Sequence, residues 1–155
     1  MVIYAGYQPM FGRNYFAFRE SDTAGFRIMT AQSLCFGDQL GWLSPQRYLA
    51  SPDREFFRKL AHLRWQYGSF FYAGRCLRPP KLEGDVGEIS GPSISSPGVL
   101  SALWQRNDDG CRIAVLVNLT DQTRTVRVLP DNAAPFEITL APTSAGIREL
   151  CDEVL

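Results

Sequence analysis

The sequence predicts an α/β amino-terminal part followed by an all-β part, an antiparallel sandwich. Three observations predict it. Residues 24–36 and 56–67 each place apolar side chains at spacings of four, three and four, which marks one face of a helix. Short apolar or aromatic runs at 2–7 and 38–43 precede those segments and suit strands. From residue 99 to 150, short alternating runs recur with turn residues between them, the pattern of a sandwich.

In chain order, Val2-Ile3-Tyr4-Ala5-Gly6-Tyr7 reads as a buried strand, ended by Gln8-Pro9 because proline cannot donate to a ladder. Residues 15–18 form an aromatic patch, either a short strand or a loop anchor. Ser21, Asp22 and Thr23 are N-cap candidates for the first helix. Its apolar face is Ala24, Ile28, Ala31 and Cys35, and Gly37 suits the left-handed residue that closes a helix. Asp38 to Leu43 follows as a short strand, broken by Ser44-Pro45, after which residues 46–50 add a turn.

The second helix is expected to begin at Ser51-Pro52-Asp53, with serine as cap, proline in the first turn, and Asp53 and Glu55 at the positive end of the dipole. Phe56, Leu60, Leu63 and Tyr67 make its apolar face, and Gly68 ends or interrupts it. Residues 78–98 are rich in Pro, Gly and Ser and read as a connector. Strands follow at 99–105, 111–118, 125–129, 136–140 and 147–150. Asn107-Asp108-Asp109-Gly110 forms a hairpin loop between the first two. The predicted division is therefore 1–73 and 74–155.

Composition excludes several classes of function. Sixteen basic and sixteen acidic residues cancel, with no basic stripe, which argues against nucleic acid or an anionic membrane as partner. Cys35, Cys76, Cys111 and Cys151 are widely spaced, and the chain has one histidine, so no clustered metal site is expected. Four thiols are expected rather than a disulfide framework, and no cofactor. The amino terminus lacks a basic-then-apolar leader and no apolar run nears about 18 residues, so a soluble chain without an export signal is expected.

The string Ala31-Gln32-Ser33-Leu34-Cys35-Phe36-Gly37-Asp38-Gln39-Leu40-Gly41-Trp42 resembles the closing segment of sugar-cleaving (β/α)8 barrels. By that resemblance residues 4–11 are similar to the seventh barrel strand and its loop, and 24–37 to the seventh helix. Residues 38–43 are then similar to the eighth strand, and 51–72 to the eighth helix. Val117-Asn118-Leu119-Thr120 and the strands around it are similar to the sandwich that follows the barrel in many retaining glycosidases. The resemblance implies the last two β/α units of an incomplete TIM-type barrel plus a carboxy-terminal sandwich, since a whole barrel needs about 200 residues or more. It implies a glycoside-hydrolase-like parent. Carbohydrate is the implied ligand. The remainder of a split or truncated barrel, or a second copy, would be the partner.

Glycoside cleavage needs two carboxylates across the scissile bond. Glu20, Asp22, Asp38 and Asp53 are the candidates, and each reads as a cap or turn residue, so no catalytic residue is assigned. Three residues are candidates for sugar contact. Trp42 is a stacking platform or else a core tryptophan, and Tyr7 shares that choice. Gln39 hydrogen-bonds a sugar hydroxyl or satisfies buried backbone. His62 reads as a surface residue and Trp104 as sandwich core. Asn118-Leu119-Thr120 fits a glycosylation sequon but reads as a turn. The rival readings are a carbohydrate- or partner-binding sandwich module and a purely structural domain.

Overall fold

A computed structural model describes residues 22–40, 43–92 and 94–151. The expected strands at 2–7 and 15–18 lie outside them. The described chain begins with α1 (Thr23–Phe36), α2 (Pro45–Ala50), α3 (Arg54–Gln66) and α4 (Gly68–Ala73). It continues with β1 (Arg75–Leu77), β2 (Lys81–Gly84), β3 (Glu88–Ser90) and β4 (Ser95–Pro97). The last strands are β5 (Val99–Gln105), β6 (Arg112–Asn118), β7 (Arg124–Leu129), β8 (Phe136–Leu140) and β9 (Ser144–Glu149).

The helices follow from their caps. Asp22 accepts a hydrogen bond from the Gly25 amide at 2.8 Å and opens α1. Gly37, at φ 73°, closes it, its amide returning to Leu34 O at 3.1 Å. Ser44 caps α2 through Arg47 N at 3.3 Å, with Pro45 in the first turn, where the sequence suggested only a turn. Ser51 ends α2 rather than starting α3. Its hydroxyl accepts from Asp53 N at 3.2 Å, and α3 begins two residues later than expected, at Arg54.

All strand pairings among the described residues are antiparallel. They form a four-stranded sheet in the order β1-β5-β6-β9, a three-stranded sheet β2-β7-β8, and the pair β3-β4. Strand β6 sits between two layers. Ile113, Val115 and Val117 point into a cluster with Ile28, Leu34, Phe56, Leu60 and Phe71 of the helices. Ala114 and Leu116 point the other way, toward Val126, Val128 and Leu140 of the second sheet. Period-two alternation with both faces covered explains why this strand reads as one continuous apolar run. Helices, the four-stranded sheet and the three-stranded sheet are thus three layers over two cores.

This corrects the barrel expectation. A β/α barrel unit needs a parallel strand beside each helix. Within the described residues the expected strand at 38–43 is reduced to a single bridge at Gln39, and α1 and α3 lie against an antiparallel sheet. Among the described residues the incomplete TIM-type barrel is therefore not present. The connector is also more ordered than expected. Strand β2 pairs with β7, and Ile89 and Ile94, in and beside β3-β4, pack on the helical core.

Trp104 of β5 fills the seam between helices and sheet. It is fully buried, its Nε1 donates to Cys35 O at 3.0 Å, and its ring meets Phe71 edge-on at 5.4 Å. Arg27 of α1 ties three elements together. Its guanidinium reaches Asp53 at 2.9 Å, Leu119 O at 3.2 Å and Asp121 at 2.9 Å.

The expectation of four free thiols is corrected too. Cys111 and Cys151 form a disulfide with their Cα atoms 4.6 Å apart. The ladder Ile113↔Glu149, continued by Leu150 N donating to Arg112 O, sets the two cysteines opposite each other. Cys35 and Cys76 remain free. Burial, aided by Cys76, pushes the Cys35 thiol up to about 12, and burial pushes Cys76 up to about 11, which disfavours the thiolate of each.

Candidate functional site

The region singled out by the sequence lies where α1 turns toward α2. Gly37 permits a turn too tight for a side chain, since a Cβ there would lie 2.6 Å from the Trp104 ring. The buried carbonyls at this turn are collected by Arg64 of α3, whose Nη2 donates to Gly37 O and Nε to Asp38 O, both at 2.9 Å. A cation at a helix carboxyl end complements the dipole and satisfies its orphan carbonyls. Arg64 is buried, and its remaining Nη1 has no hydrogen-bond partner. Its guanidinium lies over the Tyr72 ring at 4.5 Å. Burial lowers its pKa, while Tyr72 and Asp38 oppose that shift.

Of the three residues expected to touch sugar, Gln39 is half-buried at its single bridge. Trp42 and Tyr7 lie outside the described residues. Leu40 and Leu43, on either side of the 41–42 segment, line an open apolar groove of about 400 Å³ with Pro45, Tyr48 and Phe57. That lining has no carboxylate.

The candidate acids are mostly accounted for by structure. Asp22 caps α1 as expected. Asp38 is buried at 3% exposure beneath the Arg64 contacts, with its amide on Ser33 O at 2.8 Å. Asp53, read as a helix cap, makes no side-chain cap bond and is instead buried against Arg27. Asp53 and Asp121 do share a partner, but that partner is the Arg27 guanidinium, which stands where a scissile bond would have to lie. Glu20 lies outside the described residues. His62 is exposed, beside Trp65.

Asn118 is fully buried and its amide donates to Gln122 O, Leu140 O and Ala141 O at 2.8, 3.2 and 2.9 Å. Its Oδ1 accepts from the Thr120 amide and hydroxyl. The sequon is thus a turn brace, with no free amide for a glycan.

Two features went unread in the sequence. One is Arg64, hidden among the charges of α3; its only signal was its place one residue after Leu63 on the apolar side. The other is Trp65, 78% exposed on α3, with Leu49 also open at 64%. No helix among the described residues is long and apolar enough to cross a membrane.

No family model matches the chain, and no solved structure matches it significantly. Over 129 residues, 80% of its length, it is 30% identical to a protein of Bacteroides thetaiotaomicron named "Putative glycoside hydrolase". The chain is similar to part of a glycoside-hydrolase-like protein. The matched stretch is 18% of that relative's length. The likeness therefore concerns one portion of a much longer molecule.

Proposed function

We propose that this chain is a non-catalytic portion of a carbohydrate-active, glycoside-hydrolase-like protein. The observation that carries the reading is the 129-residue likeness to the Bacteroides relative. The non-catalytic part of the reading is supported by the acids. Of the candidate acids that the structure describes, Asp22 caps a helix, Asp38 lies buried under Arg64 and Asp53 holds Arg27. Trp42, Tyr7 and Gln39 stay as the proposed sugar contacts, with stacking on Trp42 and a hydrogen bond from Gln39.

For the strands themselves a bracing role is favoured over sugar binding. Trp104 is buried in the seam, and Phe136 is half-buried with Arg148 over its ring at 5.5 Å. Neither offers an open stacking face. The exposed apolar residues Leu49 and Trp65 lie on the helical layer instead, where the rest of a longer parent would meet this portion.

The test is a panel of aryl glycosides of both anomers, given to the purified chain beside Asp38→Asn and Asp53→Asn variants. No turnover is expected. Turnover lost in either variant would show that a structural carboxylate here is catalytic. Affinity electrophoresis in soluble polysaccharides, with Trp42→Ala as control, tests the sugar contact.

A further inference from the structure

The end of the β6-β9 ladder gathers two cysteines, joined in a disulfide, and a carboxylate, with Cys111 also part of the core shared with the helices. Cys111 precedes β6 and Cys151 follows β9, opposite each other across the ladder. Glu149 ends β9 two residues before Cys151. A ligand atom from each of the three lies within 4.8 Å of the others, and Cys151 Sγ is 4.0 Å from Glu149 Oε2. Cys111 is buried, while Glu149 and Cys151 are exposed, which leaves one side open to solvent.

We propose that, when reduced, this cluster binds one divalent ion of the zinc class through Cys111, Cys151 and Glu149, with water in the fourth position. The disulfide is then the metal-free, oxidised form of the same site. The donor set fits the metal. Two thiolates and a carboxylate suit a borderline-soft ion that accepts four ligands in a tetrahedron, with Zn–S bonds of about 2.3 Å. Such a centre holds its two sulfurs roughly 3.8 Å apart. Cross-strand residues whose Cα atoms are 4.6 Å apart can span that separation by side-chain rotation, without altering the ladder.

Charged groups near the site include Arg106, Asp108 and Asp109 of the hairpin loop, and Arg148, which lines a pocket with Glu149 and Cys151. Arg106 pairs with both aspartates and also acts on Glu149. Asp109 Oδ1 accepts from the Cys111 amide at 2.9 Å and so fixes that end of the site. The two free thiols, buried Cys35 and half-buried Cys76, lie outside this cluster, and burial disfavours the thiolate of each. Loss of the metal on oxidation balances with a low-molecular-weight disulfide as oxidant. The two thiolates give up two electrons and join, the oxidant's S–S bond breaks, two protons convert it to two thiols, and the ion is released.

The experiment reduces the whole chain, moves it into metal-free buffer under argon and titrates it with Co²⁺, then with Zn²⁺. One Co²⁺ per chain is expected, with thiolate-to-cobalt charge-transfer absorption and tetrahedral d–d bands, both displaced by Zn²⁺. Cys151→Ser, a change at an exposed position beyond the last strand, should abolish the charge-transfer band. Glu149→Gln should weaken binding at least tenfold, and the oxidised chain should bind no Co²⁺. A reduced chain without the band overturns the site, as does a band that survives in Cys151→Ser. Unchanged affinity in Glu149→Gln overturns the three-ligand assignment.

Discussion

Replacing Gly37 with alanine should strongly destabilise the helical layer. Two costs combine. At φ 73° an alanine enters the left-handed region, for roughly 1–2 kcal/mol. The new Cβ also meets Trp104 Cη2 and Cζ2 at 2.6 and 2.7 Å. The indole cannot swing aside, because it is fully buried, hydrogen-bonded to Cys35 O and set against Phe71. Overpacking of that kind costs about 1–3 kcal/mol. Together the loss is roughly 2–5 kcal/mol, or about 4–20 °C in Tm for a chain of this size. Urea and thermal unfolding followed by far-UV circular dichroism measure it. Gly110→Ala isolates the backbone cost, since φ is 71° there but only Gln105 Nε2 approaches, at 3.4 Å. Trp104→Phe isolates the clash, because it removes the two atoms that the methyl strikes. In that background Gly37→Ala should cost about 1–2 kcal/mol, leaving a coupling energy of about 1–3 kcal/mol. An equal penalty in both backgrounds would refute the argument.

Three other outcomes are expected. Asn118→Ala strands three carbonyls and should lose roughly 2–4 kcal/mol in urea unfolding, at about 1–3 kcal/mol per buried unpaired group with partial relaxation. The same chain made in a secretory eukaryotic host should carry no glycan at Asn118 by mass spectrometry. Arg27→Met leaves Asp53 buried without its cation and should cost about 3–5 kcal/mol, with partial recovery in the Arg27→Met/Asp53→Asn pair. The Asp109 carboxyl is held at about 2 by its hydrogen bond from Arg106 and by the Cys111 amide. Its folded pKa is depressed, so its contribution is complete above the unfolded value of 3.8 and is lost as pH falls toward 2. An NMR titration of the Asp109 carboxyl carbon checks this.

Much of the local structure could be read from residue spacing. Ala24, Ile28, Ala31 and Cys35 mark one face of α1, and Gly37 marks its end, because helix period and left-handed caps are local properties. The unbroken apolar run of β6 likewise signals a strand covered on both faces. What spacing cannot carry is the identity of the surface opposite. A helix face that fits a parallel barrel strand fits an antiparallel sheet equally well, and α1 and α3 took the second partner. Segment 38–43 looked like a strand by composition, yet Gly37 and Asp38 give their carbonyls to Arg64, and among its described residues the bridge at Gln39 is the sole strand-like feature. The Cys111–Cys151 pairing depends on a register between strands far apart in sequence, invisible before β6 and β9 are aligned. Of the proposed sugar contacts, only Gln39 falls among the described residues, so spacing remains the basis for Trp42 and Tyr7.

The central structural claim is that the helices and the four-stranded sheet share one core around Trp104, with no separate barrel remnant. Native-state hydrogen exchange tests it most directly. The amides of α1 and β6 should open with the same free energy, equal to that of global unfolding, and the Trp104 indole N–H should exchange with them. An α1 that opens several kcal/mol more easily than β6, with the Trp104 indole exchanging at the rate of α1, would contradict it.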